Sequence, residues 1–239
     1  MENKKICIVG PAHPLRPGGM STFNERLARA FIEEGYEVKI LTFKLQYPNF
    51  LFPGKTQWSK EPKPKDIDID VSMNSINPFN WFRVGNKYKK KNFDLVIFRY
   101  WMPFMAPCFG TIARRIASNG KSKCIAITDN VIPHEKRKGD TLLTRYFVNS
   151  MVGFVSMSKS VLEDLKKFDV TKPKKYIPHP LYDSFGPSVK KNVAKLKLNL
   201  NDSARYVLFF GFIRDYKGLD LLLESFSKAD FNGENVKLL

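Results

Sequence analysis

KICIVGPAHPLRPGGMSTFNERLARAFIEEGYEVKILT, residues 5–42, is the stretch whose reading decides the architecture. Residues 5–10 form a short apolar run that ends in Gly10. After a Pro- and Gly-rich turn, Thr22 and Glu25 stand at the spacing of a helix capping box. Phe23, Leu27, Ala30 and Phe31 then recur at helical spacing, and Gly35 supplies a stop signal. Residues 36–42 alternate apolar and polar and read as a second strand. A helix that joins two successive strands implies a parallel pair, because the chain must cross back before it can run the same way again.

The same alternation continues outward. Residues 44–66 are rich in Pro, Lys and aromatics and read as a loop, and residues 66–71 as a partly exposed strand. Residues 94–99 (DLVIFR) are continuously apolar in the middle, as expected of a strand covered on both faces. A helix is predicted near 104–118, a strand at 124–128, a helix near 141–149, a strand at 153–156 and a helix at 158–168. Pro and Gly cluster at 182–187, where this first domain, residues 1–187, closes. Residues 188–239 start afresh. A charged bridge leads to an apolar run at 206–210, a polar turn, an amphipathic helix at 218–227 and a strand at 236–239. The expected fold is α/β: one complete Rossmann-like doubly wound parallel sheet, followed by the opening β-α-β part of a second.

Composition narrows the classes. With 43% hydrophobic and 13% aromatic residues, the chain can build a packed core and is not a disordered one. Its three cysteines, Cys7, Cys108 and Cys124, lack metal-site spacing and lie far apart, which points to small buried hydrophobes in a reducing cytoplasm. No run approaches the roughly 20 apolar residues of a membrane-spanning helix, and the start carries no signal-peptide pattern. The net charge of +17 favours polyanionic partners: nucleic acid, anionic lipid headgroups or phosphorylated small molecules. No helix-turn-helix, zinc-finger or RNP pattern accompanies it, so a nucleic-acid-binding module is the alternative reading and nucleic acid is not an expected partner.

Two turns carry chemistry. In GPAHPLRPGG, residues 10–19, the G-x-G-x-x-G spacing of dinucleotide binding is absent. Gly18 and Gly19 nonetheless let backbone N–H groups approach an anion at a helix N-terminus; a plain connecting turn is the competing reading. In GFIRDYKG, residues 211–218, Arg214 and Lys217 stand three apart at the mouth of a helix, where both can reach a diphosphate. A third segment, residues 77–91, places Trp81 and Phe82 beside Arg83, Lys87, Lys89, Lys90 and Lys91. It suits either an anionic membrane surface or a core-facing helix with a solvated basic end. The D-x-D-x-D run of Asp66, Asp68 and Asp70 has no second ligand cluster and reads as a solvated strand face, so no metal is expected.

The runs PHE (133–135), HPLYDSFG (179–186) and LFFGFIRDYKGLDLLLESF (208–226), together with GPAHPLRPGG and SMSKSVLEDL (156–165), resemble bacterial family-4 glycosyltransferases of the GT-B fold. The resemblance implies retaining transfer from a nucleoside-diphosphate sugar to a glycan or lipid-linked acceptor, with no cofactor and no obligatory metal. It implies that Gly18 and Gly19 face the donor diphosphate, that Arg214 and Lys217 neutralise it as it departs, and that His134 orients the sugar or handles a proton. It places the protein in cell-surface polysaccharide or glycolipid synthesis, cytoplasmic and peripheral at the inner membrane face. Such enzymes carry an acidic E-x7-E region further along, after the GFIRDYKG-like turn, and no such region follows residue 218 here. The expectation is therefore a chain cut within its second domain, with little or no transfer activity, and a non-catalytic fragment is a further alternative.

Overall fold

The computed structural model describes residues 4–48, 56–133, 135–181, 186–211 and 213–239. The chain divides into two compact units, Met1–His179 and Pro180–Leu239.

The first unit is built on a seven-stranded sheet whose strands run parallel in the order β3-β2-β1-β4-β5-β6-β7. These are β1 (Lys5–Val9), β2 (Glu37–Leu45), β3 (Asp68–Asn74), β4 (Leu95–Tyr100), β5 (Lys123–Thr128), β6 (Gly153–Ser156) and β7 (Lys174–Tyr176). The helices are α1 (Gly19–Glu33), α2 (Pro78–Lys89), α3 (Ala106–Ala117), α4 (Asp140–Val148) and α5 (Lys159–Lys166). Strand order reverses between β1 and β4, so this is a doubly wound sheet with its switch point beside the end of β1.

Alternation along the strands sorts their side chains onto two covered faces. Ile6, Ile8, Ile40, Ile69, Ile97 and Ile127 point to one, where Phe23, Leu27, Ala28 and Phe31 of α1 cover them. Cys7, Val9, Leu41, Val96, Phe98 and Tyr100 point to the other, against α2, α3, α4 and α5. Right-handed crossovers require this division, because the chain steps one way from β1 to β2 and the opposite way from β4 onward. The three cysteines are free and buried, and burial pushes the Cys124 thiol up to about 12, so it stays protonated packing material.

Local outcomes differ from expectation at α1. Its N-cap is Gly18, so Thr22 sits one turn inside and no capping box forms. Glu25 is instead used by the loop before the helix, where its Oε1 accepts the His13 N–H at 2.9 Å. Within residues 77–91, α2 starts as helices with an Asn-Pro entry do: Pro78 occupies the first turn and Asn77 Oδ1 accepts the Asn80 N–H at 3.1 Å.

The second unit holds α6 (Lys191–Lys197), β8 (Arg205–Val207), α7 (Leu219–Lys228) and β9 (Val236–Leu238), with β8 and β9 paired in parallel. Among its described residues Ala204 alone is a buried hydrophobic.

Candidate functional site

The carboxyl end of β1 is the centre of the site. The register sets Ile8 opposite Ile40 on β2 and Ile97 on β4, so two residues further on Thr42, Gly10 and Arg99 form one row across the sheet facing α1. Gly10 must be glycine for lack of space. A Cβ there would lie 2.8 Å from Asn24 Nδ2 and 2.9 Å from Arg99 Cβ. Asn24 Nδ2 donates to the Pro11 carbonyl at 2.9 Å, and Thr42 Oγ1 accepts the Ala12 N–H at 3.0 Å. The turn is thereby tied to both α1 and β2.

Beyond Ala12 the loop is braced from outside. Arg16 N–H donates to the Gln57 carbonyl and Ser59 N–H to the Pro14 carbonyl, each at 2.8 Å. His13 Nε2 lies 3.1 Å from the Glu61 carbonyl oxygen. A pocket of about 150 Å³ opens between this brace and α1, with His13, Ser21, Glu25, Ser59 and Glu61 in its wall. Gly18 has an extended backbone that any residue could adopt, and a Cβ on Gly19 would meet nothing within 4 Å. These two glycines are thus not needed for packing within this unit. Gly18, as the N-cap, brings no capping side chain to the helix start, whose dipole suits an anion.

A feature that the sequence reading passed over lies behind the loop. Arg99 is 2% exposed, and its Nε and Nη2 donate to Asp129 Oδ2 and Oδ1, both at 2.6 Å. The guanidinium carbon sits 4.0 Å from the centre of the Phe23 ring, and His179 packs 5.6 Å from that ring. Nη1 of Arg99 is buried without a hydrogen-bond partner among the described residues. Burial pushes the Asp129 carboxyl up, while Arg99 and, more weakly, His179 pull it back toward the charged form. The signal available in the sequence is an arginine near the end of an otherwise apolar strand and an aspartate just past the next strand. Neither makes a motif, because the pair spans 30 residues and exists only through strand register.

Of the other predicted residues, His134 lies outside the described residues. Trp81 turns inward: its Nε1 donates to the Asn74 carbonyl at 2.7 Å and its ring packs on the core. Phe82 is 46% exposed under the Arg115 guanidinium, 4.9 Å away, and Lys87 pairs with Asp70 at 2.6 Å. Arg83, Lys90 and Lys91 are exposed and Lys89 half-buried. Because α2 leads into the start of β4, its basic end lies at the amino edge of the sheet, where Lys91 joins Lys4, Lys5 and Lys121 around a shallow depression. That edge is opposite the Gly10–Gly19 loop. Asp66, Asp68 and Asp70 each hold a separate cation, Arg29, Lys39 and Lys87 respectively. Among the described residues no group of three metal-ligating side chains occurs.

In the second unit, Arg214 caps the short turn Asp215–Lys217, and Gly218 follows with φ +66°, a left-handed conformation that suits glycine. Gly218 is also the N-cap of α7. Arg214 and Lys217 are both exposed, with Lys217 Nζ 5.6 Å from the Tyr216 ring centre.

Neither a protein-family model nor a curated protein matches the sequence. Solved structures do match the fold. Anabaena HepE in complex with UDP and glucose aligns over 97% of this chain and 59% of its own, at TM-score 0.62 and 12% identity. An E. coli trehalose-6-phosphate protein bound with UDP-2-fluoro glucose aligns over 98% and 63%, at 0.56 and 10%. An α-glucosyltransferase in complex with UDP and a 13-mer DNA aligns over 100% and 57%, at 0.54 and 15%. The fold is that of the Rossmann-like domains of GT-B glycosyltransferases. The chain spans about three-fifths of the length of these structures.

Proposed function

We propose that this chain is part of a glycosyltransferase that takes a sugar from a nucleoside-diphosphate donor. The observation that carries the reading is the place of the α1 N-terminus, capped by Gly18 behind a braced turn, at the carboxyl end of β1 and beside the switch point of the sheet. Ligands of doubly wound sheets bind at that position. Structures of the same fold hold UDP or a UDP sugar, which supports a nucleotide-sugar donor.

In the proposed reaction the bond between the anomeric carbon and the diphosphate oxygen breaks, and its electron pair leaves on the diphosphate. The acceptor hydroxyl oxygen forms its bond to the anomeric carbon on the same face, and its proton passes to the departing diphosphate. Gly18 and Gly19 offer backbone N–H groups to the diphosphate, and Arg214 and Lys217 neutralise the charge that develops on it, often the largest single catalytic contribution. His134 orients the sugar. No cofactor or metal takes part. The acceptor is a glycan or lipid-linked glycan of a surface polysaccharide or glycolipid pathway, met at the cytoplasmic membrane face. No helix among the described residues is long and apolar enough to cross a membrane, and Phe79, 86% exposed at the start of α2, with the basic end of that helix, favours peripheral contact.

The test measures transfer from a panel of nucleoside-diphosphate sugars by the intact enzyme to which this chain is assigned. Arg214→Ala and Lys217→Ala should each lower kcat by about 100-fold or more, as loss of a leaving-group contact does, with the melting temperature unchanged. Near-normal rates in both variants would remove the assignment. A second reading, in which nucleic acid is the acceptor, is favoured by the +17 charge and by the DNA held by the α-glucosyltransferase. Sugar incorporation into DNA, absent with lipid-linked glycans, would select it.

A further inference from the structure

We propose that Arg99, held by Asp129, is a positioning residue for the β1–α1 loop, acting through Gly10 and Phe23; the inference rests on the nucleotide-sugar reading of that loop. Arg99 touches the loop at both ends. Its Cβ lies under Gly10, where the turn begins, and its guanidinium lies under Phe23, four residues into α1. Asn24, next to Phe23, holds the Pro11 carbonyl, so displacement of the helix start would displace the turn with it. The guanidinium is in turn fixed by two short bonds to one carboxylate, the planar fork that lysine cannot reproduce.

Stability alone does not explain this arrangement. A buried ion pair is often no better for folding than apolar side chains of the same volume, and this one leaves Nη1 without a partner among the described residues. Its distinctive property is directional. The pair locks one guanidinium plane against one aromatic face directly behind residues 10–19, and a flexible apolar side chain would fill the space without setting that orientation.

The experiment compares the full wild-type chain with Arg99→Met/Asp129→Leu and with Arg99→Lys, by amide hydrogen exchange and by titration with inorganic pyrophosphate. The amides of Ala12, His13 and Thr22, bonded to Thr42, Glu25 and Gly18, report the loop. The double variant should melt close to wild type while these three amides exchange about 10-fold faster, with Ile8 and Ile97 in the sheet unchanged. Pyrophosphate shifts at Gly18 and Gly19 should need about 5-fold more ligand in the same variant. Unchanged loop exchange in the double variant overturns the proposal, as does a uniform rise across loop and sheet. Should that variant fail to fold, Arg99→Lys decides: faster loop exchange supports the proposal and a wild-type rate overturns it. If the wild-type Gly18 and Gly19 amides ignore pyrophosphate, the donor-site reading falls, and the loop exchange still decides the role of Arg99.

Discussion

Two single residues show how much depends on local geometry. Gly10 is confined by Asn24 and Arg99, neither of which can retreat without breaking its own hydrogen bonds. Gly10→Ala should therefore destabilise the protein by about 1–3 kcal/mol, read from the denaturant midpoint. Gly19→Ala, with open space around its Cβ, should stay within about 0.5 kcal/mol. Asp169 is the second case. It accepts the N–H groups of Lys172 and Thr171 at 2.8 and 2.9 Å and the Lys174 ammonium at 3.2 Å, which hold its carboxyl down to about 2. A depressed carboxylate contributes stability that is present above its unfolded value, about 3.9, and is lost as pH falls through about 2. Asp169→Asn should accordingly melt below wild type at pH 6 and converge with it near pH 2, and parallel curves would refute the assignment.

At the scale of elements, the helices on the face opposite α1 converge on an aromatic cluster. Phe147 of α4 stacks on Tyr100 of β4 at 4.1 Å between ring centres, with Phe98 and Phe109 each 6.3 Å from it. Phe147→Ala should lower stability by about 3–5 kcal/mol in chemical denaturation, since a fully buried ring leaves a cavity its stacked neighbours cannot close. The elements that sequence patterning anticipates are the ones it can see: β1, α1, β2, β4, β5, α3 and α5 all carry apolar side chains at the period of their own structure. Short β7 (KKY) and α6 (KNVAKLK) escape it, because neither has enough buried positions to write a period. The start of α1 is misjudged for a related reason. The Thr22–Glu25 spacing is real, but an N-cap is chosen by where the chain leaves the preceding turn, and that is Gly18.

Across the whole molecule, burial is very uneven. Nearly every buried hydrophobic lies in Met1–His179, while α6 and α7 contain none. The main cooperative unfolding transition should therefore report the first unit. Amides of β8, β9 and α7 should exchange at least about 100-fold faster than those of β1, β4 and β5 in native-state hydrogen exchange. Equal protection in the two sets would contradict this account.

The sequence by itself determined the α/β class, the parallel winding of the first unit and the glycine-punctuated turns before α1 and α7, because hydrophobic period and glycine placement are local properties of the chain. Only the tertiary structure decided that Trp81 turns inward, that the basic end of α2 lies at the far edge of the sheet from the glycine loop, and that Arg99 meets Asp129 behind Gly10. These depend on strand register and helix packing, as with Arg99 and Asp129, which stand 30 positions apart with no local pattern to connect them.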